Sequence, residues 1–199
     1  EIDPDWAGHI KNSIKDPRLT IHLADAVHFD FRSLKKNGPL VLLANLPYLI
    51  TFPLFEKFTH DHLLFDDGMV MVQEEAAERI AHTSGRRFGA ISAFLQHYFD
   101  FTLYDKVPPY FFSPPPKVDS RLVRFKPKQQ LMEIKEPEAF WLFVRACFKN
   151  PRQTLSNNLK RTYYAWQKLD AETLKLRAQQ LTTAQLYDMW LEAAGVRQS

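Results

Sequence analysis

Asn45-Leu46-Pro47-Tyr48 follows an unbroken apolar run, residues 39–44, and these four residue types in this order can hold an exocyclic amine. The amino nitrogen of an adenine is a poor nucleophile because its lone pair is delocalised into the ring. Two acceptors would localise that pair: the side-chain carbonyl of Asn45, and a backbone carbonyl at Leu46 or Pro47. Each takes one N–H of the amine, so that the lone pair aims at a methyl donor. Pro47 fixes the turn, and Tyr48 offers a ring on which an extruded base can stack. A strand-ending turn with a packed tyrosine is the plainer account of the same residues. A second aromatic, Phe112, stands just ahead of Pro114-Pro115-Pro116 and Lys117-Val118-Asp119-Ser120, so a base could be held between Tyr48 and Phe112. Taken alone, Phe112 reads as a core residue before a proline turn.

Such residues need elements that bring strand ends together. Asp3 and Pro4 start a helix that carries Trp6, Ile10 and Ile14 on one face to about Lys15. Residues 19–23 read as a strand ending in Ala24-Asp25-Ala26, and residues 39–44 as a continuous apolar strand ending at Asn45. A helix over 51–58, a buried strand over 68–72 and a helix over 74–81 follow. This alternation predicts a doubly wound, parallel α/β sheet covered on both faces, with ligands at the carboxyl ends of its strands. Glu1, Asp25, Asn45 and Gln73 stand at or just past such ends and are expected to open onto one crevice. Gly85-Arg86-Arg87-Phe88-Gly89 is a basic turn before a helix over 90–99, and residues 101–107 and 118–125 read as an antiparallel edge. The α/β unit spans residues 1–128. Residues 129–199 read as helices only, over 137–149, 151–160, 171–179 and 183–194, and form a small helical domain.

Composition excludes several classes. The 199 residues include one cysteine, Cys147, which rules out a disulfide framework or a cysteine metal site and suits a reducing, cytoplasmic setting. No apolar run approaches the ~20 residues of a membrane span. Among the seven histidines only His60-Asp61-His62 approaches ligand spacing, and it reads as a solvated helix end, so no metal is expected. A net charge of +3 says little, but residues 140–180 hold Arg145, Lys149, Arg152, Lys160, Arg161, Lys168, Lys175 and Arg177 against only Asp170 and Glu172. Such an excess fits a solvated helical face or a nucleic-acid contact.

Asn45-Leu46-Pro47-Tyr48, Gln73-Glu74 and Phe112-Ser113-Pro114-Pro115-Pro116-Lys117-Val118-Asp119-Ser120 together resemble the small-subunit ribosomal RNA adenine-N6 dimethyltransferases of the KsgA type, over nearly the whole chain. The string Asn150-Pro151-Arg152-Gln153-Thr154-Leu155-Ser156-Asn157-Asn158-Leu159 favours this branch over the large-subunit enzymes of macrolide resistance. The resemblance implies a Rossmann-like class I methyltransferase domain that uses S-adenosylmethionine. It further implies dimethylation of two adjacent adenines near the 3′ end of the small-subunit RNA, by a monomer acting on a pre-ribosomal particle. Carried over by position, Glu1 holds the ribose hydroxyls of the donor and Asp25 its adenine amine, with Ile2, Ala26 and Asn45 beside them. Without the resemblance, Glu1 reads as a helix-entry carboxylate and Asp25 as a turn. Arg86, Arg87 and Lys117 would border the crevice, and Arg152, Lys160 and Arg161 would line the helical domain as phosphate contacts.

Departures from the pattern carry expectations too. Members of this family have a glycine-rich loop ahead of the position of Glu1 that approaches the methionine part of the donor, and none of Gly8, Gly38, Gly68, Gly85, Gly89 and Gly195 forms one. A longer protein is therefore expected, with the methyltransferase domain of this chain incomplete at its amino terminus, apolar edges exposed and the chain inactive as it stands. In that case a non-catalytic RNA-binding assembly factor is the competing description. Leu49 stands where an Asn commonly follows the Tyr, and Gln153 where a Lys is usual.

Overall fold

The computed structural model describes residues 1–35 and 38–195. Helix α1, Pro4–Ser13, begins where Asp3 accepts the amides of Asp5 and Trp6 at 2.8 and 3.3 Å and Pro4 fills the first turn. Strand β1 (Leu40–Asn45), helix α2 (Thr51–Thr59), strand β2 (Phe65–Gln73), helices α3 (Glu74–Ala81) and α4 (Ala90–Tyr98), then strands β3 (Phe99–Val107) and β4 (Ser120–Pro127) form the α/β part. Helices α5 (Pro137–Cys147), α6 (Leu155–Leu159), α7 (Ala171–Lys175) and α8 (Thr183–Ala194) follow.

The four strands lie in the order β1-β2-β4-β3. Only β1 and β2 are parallel, while β4 runs antiparallel to both β2 and β3, so the sheet is mixed and β3 and β4 pair antiparallel as expected. Residues 19–23 are not a strand. The Leu19 amide donates to the Asp16 carbonyl at 3.0 Å, the Glu1 amino group donates to the His22 carbonyl at 3.0 Å, and the Glu1 carbonyl accepts from Ala24 at 2.9 Å, none of which makes a ladder. A ladder needs a partner along its whole length, and apolar alternation does not supply one. The expected apolar exposure is present: Val41 and Leu43, on one face of β1, are 73% and 82% exposed. Where a helix over 151–160 was expected, Gln153 closes a turn on Asn150 and helix begins only at Leu155. The one expected over 171–179 breaks into α7 and a short turn, Ala178–Gln180.

Buried side chains form two clusters. One packs against the sheet around Phe55, Phe58, Phe65, Phe99 and Phe125, whose rings meet mostly edge to face. Gly68 lies opposite Phe125 in the ladder, and any Cβ there would overlap that ring, so glycine is what lets β2 and β4 close. The second cluster gathers Phe140, Phe143, Val144, Cys147, Leu155, Leu159, Leu186 and Trp190 from the carboxyl-terminal helices with Phe88 and Ala93. Helix α4 serves both: Ile91 and Leu95 belong with the sheet, Ala90 and Ala93 with the helices, and Phe94 touches each.

His97, also on α4, lies against Trp141 of α5 with ring centroids 5.6 Å apart. Burial first, and then the charges of Lys128 and His62, pull its pKa down to about 4 from an ordinary 6.5. The unfolded chain therefore binds a proton there that the folded chain refuses. The stability this brings is present in full above pH 6.5 and declines as the pH falls towards 4. The difference in denaturation midpoint between the protein and its His97→Gln variant is expected to shrink through that window. A difference that stays constant between pH 7 and 4 would exclude the effect.

Candidate active site

Strand β1 pairs with β2 through Asn45 opposite Met71, and the Leu46 amide continues the pairing by donating to the Met71 carbonyl at 3.1 Å. Leu46 is buried in the sheet core, which fixes the backbone on which Asn45 is mounted. The chain then turns at Pro47, whose carbonyl accepts from Ile50 at 3.1 Å, and Tyr48–Ile50 form a short turn leading into α2. No described residue donates to the Leu46 carbonyl or hydrogen-bonds the exposed Asn45 side chain. Of the two backbone acceptors that sequence left open, Leu46 has the free one.

Tyr48 is half-buried, and its hydroxyl meets the Oγ of the fully buried Ser120 at 2.9 Å. Ser120 begins β4 and is paired on one side with Gln73 and on the other with Val107. It therefore fastens the Tyr48 ring to the end of the sheet, a role that spacing alone did not reveal. Phe112, also half-buried, leaves the turn Pro109–Phe111 with its amide donating to the Pro109 carbonyl at 3.1 Å. Glu74 braces the same end: its amide donates to the Asp119 carbonyl at 3.0 Å, and its carboxylate meets Arg121 at 2.6 and 2.9 Å and Lys106 at 3.2 Å. Burial opposes the charge on Glu74, but the Arg121 and Lys106 contacts outweigh it and hold the carboxyl below its ordinary pKa.

Glu1 and Asp25 lie on the segment of chain that precedes β1. Glu1 accepts the amides of Ile2 and Asp3 through Oε1 at 2.9 and 3.0 Å, which leaves Oε2 available, and Ile2 is exposed beside it. Asp25 accepts the Val27 amide through Oδ1 at 2.8 Å, while Oδ2 lies 3.9 Å from His28. Glu1 and Ala26 line a cavity of about 320 Å³ with Ile21, Ala24 and Phe29; Asn45 does not reach it.

The basic residues are exposed. Arg87 is committed to Glu78 at 3.0 Å, and Lys160 donates to Asn157 at 2.9 Å. Arg86, Lys117, Arg152 and Arg161 make no ion pair among the described residues. The Arg86-Arg87 turn is tied to the helical part through the Gly85 amide on the Gln179 carbonyl, at 3.1 Å. Sequence reasoning missed the cleft of about 400 Å³ where the two parts meet, lined by Arg79, Arg145, Glu56, Phe94 and Trp141. Arg145 had entered only as part of a charge count, and Arg79 lies outside the basic run.

The sequence profile of the family described as "Ribosomal RNA adenine dimethylase" matches residues 1–194. The chain belongs to that family. Curated relatives of the chain are proteins named "Ribosomal RNA small subunit methyltransferase A". That of Chlorobaculum parvum is 35% identical over 191 residues, covering 96% of this chain and 68% of its own length. That of Chlorobium luteolum is 36% identical, covering 87% of this chain and 63% of its own, and that of Francisella tularensis subsp. novicida is 37% identical, covering 81% and 64%. The chain thus spans about two thirds of the length of the curated relatives it matches. The fold matches a dimethyladenosine transferase from Plasmodium falciparum with a TM-score of 0.79 at 22% identity, covering 98% of this chain and 80% of that one. It also matches the 23S rRNA methyltransferase ErmE, with a TM-score of 0.71 at 18% identity and the same coverage. The family is one of enzymes, and the α/β part of the chain has their fold. Among the described residues no helix is long and apolar enough to cross a membrane.

Proposed function

We propose that the protein transfers methyl groups from S-adenosylmethionine to the N6 nitrogens of two adjacent adenines near the 3′ end of small-subunit ribosomal RNA. In this reading it acts as a monomer on a pre-ribosomal particle in the cytoplasm. Residues 1–128 carry the chemistry and residues 129–199 bind RNA. The observation that carries the proposal is the pair of free carbonyls at Asn45 and Leu46 beside a tyrosine pinned by Ser120.

The donor's nucleoside half fits the residues present. Glu1 retains a free carboxylate oxygen for a ribose diol, Asp25 can accept from an exocyclic amine, and exposed Ile2 gives an apolar surface beside them. When bound, the donor supplies a methyl group activated by a positively charged sulfur. The chain's own residues do the rest. Asn45 Oδ1 and the Leu46 carbonyl accept the two amine hydrogens and turn the nitrogen lone pair out of conjugation. Tyr48 and Phe112 hold the extruded ring, and the proton that the methylated nitrogen sheds leaves to solvent. Arg152 and Arg161, together with Arg79 and Arg145 in the cleft, offer cations to phosphates, while Arg86 and Lys117 do so on the α/β part.

Labelled methyl transfer to small subunits that lack adenine methylation tests this. Label should appear as N6-dimethyladenosine at two neighbouring positions. Bound RNA without label would replace the enzyme reading with that of a non-catalytic assembly factor, and label on another base would overturn the role of Asn45.

A further inference from the structure

Tyr110 and Phe111 stand in solvent, 77% and 69% exposed, with ring centroids 4.7 Å apart and planes inclined by 35°. Large rings are ordinarily withdrawn from water, and two side by side mark a binding surface. Their turn is rigid: Pro108 and Pro109 restrict it, and the Phe111 and Phe112 amides close it on the Pro108 and Pro109 carbonyls at 3.2 and 3.1 Å. The turn also sits beside the proposed base site. Val107, which precedes it, is the ladder partner of Ser120, the residue that holds Tyr48, and Phe112 follows directly. Four residues of chain reach at most ~14 Å, so the pair is kept near Tyr48. Leu49, 93% exposed next to Tyr48, extends the apolar rim, and Lys117 adds an exposed cation.

We infer that Tyr110 and Phe111 form a platform on which an unpaired base flanking the target adenines stacks, so that the protein selects looped over fully paired RNA. The inference rests on the RNA adenine site proposed above. A base has a π-face whatever its identity, and a rigid aromatic platform offers stacking at little cost in side-chain freedom. The place of the turn, between the ladder partner of Ser120 and Phe112 of the proposed base site, favours a nucleotide over a protein side chain as the occupant.

The test is a coupling experiment on an RNA hairpin with two adjacent adenines in its loop. Replacing both residues by Ala should weaken binding by about tenfold, the scale of one lost base–aromatic stack. The same loss should disappear on a hairpin made abasic at one of the positions flanking the adenines, because the two deletions remove one contact. A Tyr110→Leu, Phe111→Leu protein keeps apolar bulk without a π-face and should behave like the Ala protein; both should keep the parent's melting temperature. No loss, or an equal loss on hairpins abasic at either flank, overturns the platform. Tyr48→Ala on hairpins abasic at a target adenine tests the underlying site separately. Coupling at the flank with none at the target would leave the platform standing and remove the adenine clamp.

Discussion

Asn45→Ala should lower the rate of methyl transfer at saturating donor and RNA by about 10²–10³-fold, the effect of deleting one preorganised group that stabilises developing charge. RNA affinity should be nearly unchanged. The reason lies in how the residue is mounted: the Asn45 side chain is exposed and touches no described hydrogen-bond partner, whereas the backbone beneath it is held by the ladder and by buried Leu46. Removing the amide deletes an acceptor and leaves the scaffold intact. The discriminating measurement is kcat alongside KM for RNA. A pure rise in KM would mean that Asn45 contributes ordinary binding, and parallel losses of rate and affinity would mean disrupted folding.

Asn158→Ala is expected to destabilise the protein by about 3 kcal/mol in urea denaturation, since a buried polar latch loses its hydrogen bonds at once. Asn158 is buried, donates to the Cys147 carbonyl at 2.8 Å and to the Asn150 carbonyl at 3.2 Å, and accepts from the Asn150 amide at 3.1 Å. It thereby closes the end of α5 and sets the turn that presents Arg152. Asn158→Asp should do no better, because the carboxylate keeps the acceptor, loses both donors and brings a charge into the core. A cost below about 0.5 kcal/mol for the Ala variant would show that water replaces the latch.

Both residues stand in strings that the sequence singles out, but they were legible to different degrees. The Asn45 turn is local: an apolar strand, a proline and the residues between them fix it within a few positions. Local signals also placed α3 and α8 well, the latter because Thr182 and Gln185 cap it reciprocally. Where structure depends on distant partners, sequence carried less. The strand expected over 19–23 fails for want of a ladder partner, and the insertion of β4 between β2 and β3 is a pairing choice that no single segment records. The same holds inside the site. Ser120 finds Tyr48 across 72 residues, and Arg79 and Arg145 come to line one cleft only because two parts of the chain fold against each other. Asn158 enters the sequence only as a member of the string that favours one family branch, and its burial shows it to be a structural latch.

The double duty of α4 determines how the molecule can move. A helix that gives Ile91 and Leu95 to one core and Ala90 and Ala93 to the other cannot slide without opening both. Swinging the helical part over a bound RNA would mean breaking packed apolar contacts rather than flexing a linker. The spacing between the Asn45 turn and the basic residues beyond Asn150 therefore works as a fixed gauge. On the proposed function, an RNA would bring its loop and its phosphates to that spacing by bending itself, so its own deformability would become part of what is selected.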